Sequence, residues 1–434
     1  MKRPKWKTLS PEEARAAGYV ALSATLLVIV TCAGAARPFS APPAVASTAP
    51  PVSASVAAVA PEAVPAATAP AELPASAAIE RFRAALRALR EKRRTESVRV
   101  LWLGDSHTAA DFWTDAVRRP LQATFGNGGP GFLYVGLNVY RHASVKVSRE
   151  GRWRTEPKQP SLWMRQDDGV FGLGGMRTVP ESGDAKATFE LAKDAVSGRA
   201  RWDIAFRLPD PHARFDVVSE GQRRTIGAGT APIGSVAHVE WESAPGAVVT
   251  VGQASGNPEI FGIVVESSDP GVVVDTLGIN GARIGTPLAW EAGPWIDEAR
   301  RRKPDLVVLA YGTNECGDGE APFRYAPEIA SLVERARTAA PDADCVVIGP
   351  TDRADPEWAT MPRVAEIDAV EKSSAERSGC AFFSAWQAMG GEGSLKRWAD
   401  QEPPLAATDH VHLTPRGYGE LGRATLDTLG GAGP

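Results

Sequence analysis

Four apolar runs of strand length in the C-terminal half, at 272–277, 305–310, 345–348 and 381–384, are separated by stretches with helical spacing near 288–301, 327–338 and 364–377. Strands that alternate with helices pair in parallel, each helix crossing over the sheet, so this half predicts a parallel sheet covered on both faces. A fifth run, Val98-Arg99-Val100-Leu101-Trp102-Leu103, is bounded by Gly104 and also reads as a strand buried on both faces. Ahead of it, Ile79, Phe82, Leu86 and Leu89 recur at helical spacing with charged residues between them, and the folded part begins there, at Ala77. A helix follows at about 109–124. The last helix starts near Pro415, where proline suits a first turn and Thr414 can cap it.

Between 135 and 270 the pattern changes to period two. In residues 201–208, Trp202, Ile204, Phe206 and Leu208 share one face, and Phe189 with Leu191, Phe215 with Val217 and the stretch 236–251 behave alike, with Gly, Pro and Asp turns between them. The fold class is therefore α/β with an inserted all-β domain, a sandwich or jelly roll, that interrupts the α/β unit between its first and second strands. The expected division is 77–134 and 271–430 for the α/β domain and 135–270 for the insertion.

The 434 residues are 43% hydrophobic and 23% charged, enough apolar material for more than one core. Lys+Arg 48 against Asp+Glu 52 leaves a net charge of -4, so no basic field exists to hold a polyanion, and nucleic acid is excluded as a partner. Four cysteines without a CxxC pair and six histidines offer no zinc or redox spacing; no metal and no cofactor are expected.

Lys2, Arg3, Lys5 and Lys7 precede an uncharged stretch, 16–36, which reads as an export segment. At about 1.5 Å per residue it could just cross a hydrocarbon core of roughly 30 Å, while Ala33-Gly34-Ala35 forms a small-x-small cleavage pattern. Residues 1–36 are thus a signal peptide or a membrane anchor, and both readings stand. Lipid attachment at Cys32 is disfavoured by Thr31 before it. Residues 37–76, rich in Ala and Pro, cannot pack and form a disordered, extended linker. The chain is expected to be exported to the periplasm, cell envelope or exterior, with its C-terminal part outside the cytoplasm and membrane contact only through an uncleaved N-terminal segment.

Ligands of an open α/β sheet bind at the carboxyl ends of its strands. Three polar clusters fall there: Gly104-Asp105-Ser106-His107, Gly278-Ile279-Asn280-Gly281-Ala282 and Gly312-Thr313-Asn314-Glu315; a fourth, Asp409-His410-Val411-His412, precedes the last helix. Acyl transfer needs a nucleophile, a base, a carboxylate that fixes the base and donors aimed at the oxyanion. Ser106 can attack, His412 can take its proton, Asp409 three residues earlier can hold His412, and the N–H groups of Ser106 and Gly281 with the Asn314 amide can form an oxyanion hole.

In order, Ser106, Gly281, Asn314 and His412, with Asp409 three positions before the histidine, resemble the four blocks of the SGNH or GDSL-type hydrolases. That resemblance covers about half the chain and implies a flavodoxin-like three-layer α/β/α fold, serine esterase or lipase activity and no cofactor. Two features depart from the common pattern: His107 stands where Leu is usual, and more than a hundred residues separate the first two blocks. The Gly-Asp-Ser-His form with Thr108-Ala109-Ala110-Asp111 and a β insertion looks like the branch that includes peptidoglycan and polysaccharide O-acetylesterases and related acetyltransferases.

Other polar residues carry structural readings. Asp105 shapes its turn; His107 and His410 are supporting or surface histidines; His142, His212 and His238 are solvated or packed in the insertion; Glu315 orients a helix N-terminus. Trp202 belongs to the core by strand alternation, whereas Trp153 and Trp163 are candidates for an exposed sugar-binding platform. Cys345 and Cys380 begin neighbouring strands and fit either a disulfide or two free buried thiols. Cys316 lacks a histidine partner, which leaves Ser106 as the nucleophile.

The expected function is that of a serine esterase removing O-acyl, chiefly O-acetyl, groups from an envelope or extracellular carbohydrate. Three alternatives remain: an O-acyltransferase to a polysaccharide acceptor, a carbohydrate-binding envelope protein with a vestigial hydrolase fold, and a lipase or thioesterase.

Overall fold

The computed structural model describes residues 77–137 and 140–430; the expected signal or anchor segment and the linker lie outside them. Five parallel strands form the central sheet: β1 (Val98–Gly104), β2 (Val272–Gly278), β3 (Leu306–Ala310), β4 (Asp344–Ile348) and β5 (Ala381–Phe383), in spatial order β2-β1-β3-β4-β5. This is the flavodoxin-like order, whose reversal next to β1 opens a crevice at the strand ends. The strands are buried on both faces, as their unbroken apolar runs require.

Alternate residues feed two cores. Val100, Trp102, Val274, Val308 and Ile348 face the helices α1 (Glu80–Arg90), α2 (Ser106–Ala109) with its successor α3 (Phe112–Phe125), and the C-terminal helix Pro415–Leu429, where Phe82, Leu86, Trp113, Val117 and Leu421 pack. Leu101, Leu103, Leu277, Leu309 and Val347 face α4 (Ala292–Arg302), α5 (Ala326–Ala339) and α6 (Arg363–Arg377), where Trp295, Ile329, Leu332 and Ile367 pack. Thr414 caps the C-terminal helix, its hydroxyl accepting from the Gly417 N–H, with Pro415 in the first turn.

Between α3 and β2 the chain builds two antiparallel sheets. One is the six-stranded set in which Ala200–Arg207 pairs with Val236–Ser243 and Glu259–Ser267; the other runs Val145–Glu150, Lys186–Leu191, Val248–Ser255, Arg214–Ser219 and Gln222–Ile226. Their facing residues, among them Phe189, Trp202, Ile204, Phe206, Phe215 and Val249, form a third core. Trp202 is buried as its alternation requires. Gly131–Leu133, placed by sequence in the α/β part, already pairs with Glu259–Ser267, because a three-residue strand carries too little pattern to show its side.

Cys345 and Cys380 are joined by a disulfide between the adjacent strands β4 and β5. The sandwich is tied to the α/β unit by buried charge: Arg302 of α4 binds Asp275 of β2 at 2.8 Å and Glu266 at 2.6 Å, and Glu266 also takes Arg99 of β1 at 2.7 Å. Among the described residues no helix is long and apolar enough to cross a membrane, and no group of three or more His, Cys, Asp or Glu side chains could hold a metal ion.

Candidate active site

The turn after β1 is the first component. Asp105 caps α2, its Oδ1 accepting from the His107 N–H at 2.9 Å, and this places Ser106 at the helix start. Gly278 lets α2 sit against the end of β2: a Cβ there would lie 2.2 Å from the Ala109 nitrogen. The second component is the loop before the C-terminal helix. Asp409 Oδ1 accepts from the backbone N–H groups of His412 (2.8 Å) and Val411 (3.1 Å), closing a tight turn that sets the two side chains next to each other.

These two components meet. His412 Nδ1 lies 2.8 Å from Asp409 Oδ2, and Nε2 lies 2.9 Å from Ser106 Oγ. Burial alone favours a neutral Asp409, but the hydrogen bond and charge of His412 outweigh it and hold the carboxyl down at about 2. An ionised carboxylate only accepts, so Nδ1 carries the proton and Nε2 is left to accept from the serine.

Two expected oxyanion donors come from the loops after β2 and β3. Gly281 has φ +77°, which favours glycine. Asn314 Nδ2 donates to the Ala282 carbonyl at 3.0 Å and makes only a long 3.4 Å contact with Asp105 Oδ2, so its second hydrogen is held weakly. Glu315 clasps the same two loops, accepting from the N–H of Ile284 at 2.7 Å and of Gly312 at 3.1 Å. It stands first in the short helical turn Glu315–Gly317 and, beyond the sequence reading, joins the two loops. Beneath it lies Glu371 of α6. Burial pushes Glu315 up to about 7, Asp105 up to about 6 and Glu371 well above the usual carboxylate range.

His107 is buried beside the base, its ring 5.2 Å from that of His412, with Nδ1 2.9 Å from the Tyr418 hydroxyl and Nε2 3.1 Å from Thr351 Oγ1. Burial, reinforced by His412, holds it well below the usual histidine range, so it stays neutral and adds no charge next to the base. His410 Nδ1 meets the Asp355 carbonyl at 2.7 Å while its ring stacks on Trp358 at 4.0 Å, an arrangement that braces the loop bearing Asp409. Cys316 is buried and its thiol pushed well up by that burial, which removes thiolate character.

The two tryptophans separate. Trp153 is half-buried, packs in part against the sandwich core and donates to the Glu150 carbonyl at 2.9 Å. Trp163 is 48% exposed and lies under the Arg283 guanidinium, 4.9 Å away. Arg283, Asp318 and Tyr325 around it were not singled out by sequence, since nothing in the residues themselves marks contacts that only the fold creates.

The family description GDSL-like Lipase/Acylhydrolase matches residues 243–419. A solved structure of a peptidoglycan O-acetylesterase is similar at 26% identity, with a TM-score of 0.68, covering 82% of this chain and 96% of that one. A putative GDSL-like lipase from Parabacteroides merdae (15% identity, TM-score 0.30, 37% of this chain and 74% of that one) and the lipase/acylhydrolase from Enterococcus faecalis (18%, 0.29, 36% and 75%) are also similar. A search of curated proteins finds no match.

Proposed function

We propose that this chain, whose residues 243–419 match the GDSL-like lipase/acylhydrolase family, is an ester hydrolase that removes O-acyl groups, chiefly acetyl, from an envelope carbohydrate by way of Ser106, His412 and Asp409. The observation that carries this reading is the unbroken hydrogen-bond chain from Asp409 through His412 to Ser106.

In this mechanism Ser106 Oγ attacks the acyl carbon as His412 Nε2 takes its proton. Asp409 keeps the imidazole in the required tautomer and stabilises its charged form. The carbonyl oxygen, now an oxyanion, takes hydrogen bonds from the N–H groups of Ser106 and Gly281 and from the weakly held hydrogen of Asn314. His412 then gives its proton to the departing sugar hydroxyl, leaving an acyl-serine. Water attacks that ester with His412 again as base, releasing the acid and Ser106.

Three observations support the substrate and location. The similar peptidoglycan O-acetylesterase matches over 82% of the chain, a span that must include much of the 135–270 insertion. That points to peptidoglycan or a related O-acetylated glycan. Residues 1–36 carry an export pattern, and the Cys345–Cys380 disulfide suits an oxidising compartment. We take 77–134 with 271–430 as the catalytic domain and 135–270 as an insertion that shapes its rim.

The test is a series of 4-nitrophenyl esters of increasing acyl length, hydrolysed by the wild-type chain. A kcat/KM highest for acetate supports deacetylation. A rise of about tenfold or more toward octanoate would assign the site to lipids instead.

A further inference from the structure

We propose that Arg283 is a positioning residue of the oxyanion loop and that Trp163, delivered by the insertion, is the sugar contact coupled to it; this rests on the esterase reading above. The segment between the strands Trp153–Glu156 and Arg177–Pro180 leaves the sandwich and docks on the rim of the candidate active site. The Ser161 carbonyl accepts from Thr286 Oγ1 at 2.9 Å, Arg165 pairs with Glu291 at 2.5 Å, and the Gly169 carbonyl accepts from the Glu291 N–H at 2.8 Å. Those contacts hold Trp163 over Arg283 with about half of its surface open.

Arg283 is fixed on every side. Its Nε and Nη2 grip Asp318 at 2.7 and 2.5 Å, Asp318 also accepts from the Tyr325 hydroxyl at 3.0 Å, and the flat face meets the Trp163 ring. The remaining arm, Nη1, donates to the Gly281 carbonyl at 3.0 Å. That bond lands where it has most effect. Glycine at φ +77° has no Cβ to restrict rotation, so an outside donor must hold the residue if its N–H is to stay aimed at the oxyanion. The planar guanidinium can serve the Asp318 fork and the Gly281 carbonyl together; a lysine ammonium cannot. The open face of Trp163, beside the loop that holds the reacting acyl group, suits the apolar face of a pyranose ring.

The experiment measures kcat and KM of the full chain on 4-nitrophenyl acetate and on glucosamine pentaacetate, well below each variant's Tm. Arg283→Lys and Asp318→Asn should each lower kcat on both substrates by about tenfold or more with KM within about threefold, since the loss falls on the transition state. Binding of a boronic acid that mimics the tetrahedral intermediate should weaken in parallel. Trp163→Ala, a change at an exposed position, should lower kcat/KM on the sugar ester by about tenfold more than on 4-nitrophenyl acetate. Arg283→Lys with kcat within about twofold of wild type, or Trp163→Ala lowering both substrates equally, would overturn the proposal. A wild-type chain inactive on both esters, or a Ser106→Ala variant as active as wild type, would instead overturn the esterase reading.

Discussion

Ser106 and His412 stand 306 positions apart and meet at 2.9 Å because a strand end and the entry to the last helix open at the same edge of the sheet. Asp409 is held down at about 2 by His412, so it stays ionised at any pH where the fold is useful and does not itself shape the acid limb of the rate profile. Asp409→Asn keeps the size of the side chain and removes its charge. It should lower kcat by about 10³- to 10⁴-fold with KM little changed, a split that steady-state kinetics on 4-nitrophenyl acetate will show. At this scale the sequence was legible wherever chemistry dictates residue type: Ser106, Asp409, His412, Gly281 and Asn314 all lie at the same edge. It could not rank Trp153, half-buried in the structure, against the more exposed Trp163, since a four-residue strand offers too few positions to tell an inward from an outward indole. It was silent at Arg283, one arginine among many until the fold sets it against Gly281.

Among elements, the turn after β1 depends on a buried charge pair. Asp111, at φ +53°, binds Arg118 at 2.7 Å and accepts from the Ala143 N–H at 2.8 Å and Thr276 Oγ1 at 3.1 Å, so it joins α3, the insertion and β2. Asparagine tolerates the same φ, so Asp111→Asn leaves the backbone unstrained while it removes the charge and turns one accepting oxygen into a donor facing Arg118. With buried Arg118 then held by Asp115 alone, at 2.9 Å, unfolding by urea should show a loss of roughly 1–3 kcal/mol. The loop after β3 and helix α6 carry the opposite problem, buried carboxyls that prefer to be neutral. Glu315, raised to about 7, and Glu371, raised well above its usual range, keep protons in the folded state that the unfolded chain has released. His238, raised to about 9 because its bonds to Asp203 and Glu298 outweigh burial, likewise holds a proton longer when folded. Each of these contributions is lost as pH rises, that of Glu315 between about 4.5 and about 7 and that of His238 between about 6.5 and about 9, so Tm should fall from about pH 5 to 9. Glu371→Gln should flatten part of that fall, whereas an unchanged slope would show that Glu371 ionises freely. Helix and strand positions were read closely from apolar spacing, while the loop clasp of Glu315 was not, because a carboxylate accepting two backbone N–H groups leaves no periodic trace.

For the whole molecule, the order β2-β1-β3-β4-β5 follows from five apolar runs and their helices, and the sandwich from period-two patterning; both were legible. What pattern could not give is how the two parts sit together. That depends on Arg302 bridging Asp275 and Glu266 and on the segment carrying Trp163 docking at the rim, contacts between residues distant in sequence. The insertion therefore borders the site rather than standing apart from it, and we propose that the assembled molecule deacetylates a glycan through one serine. Release of acetate from O-acetylated peptidoglycan by the wild-type chain and by Ser106→Ala tests this most directly. The wild type should release acetate steadily and the variant at a rate at least about 10³-fold lower. Equal release by both proteins, or none by the wild type, would contradict it.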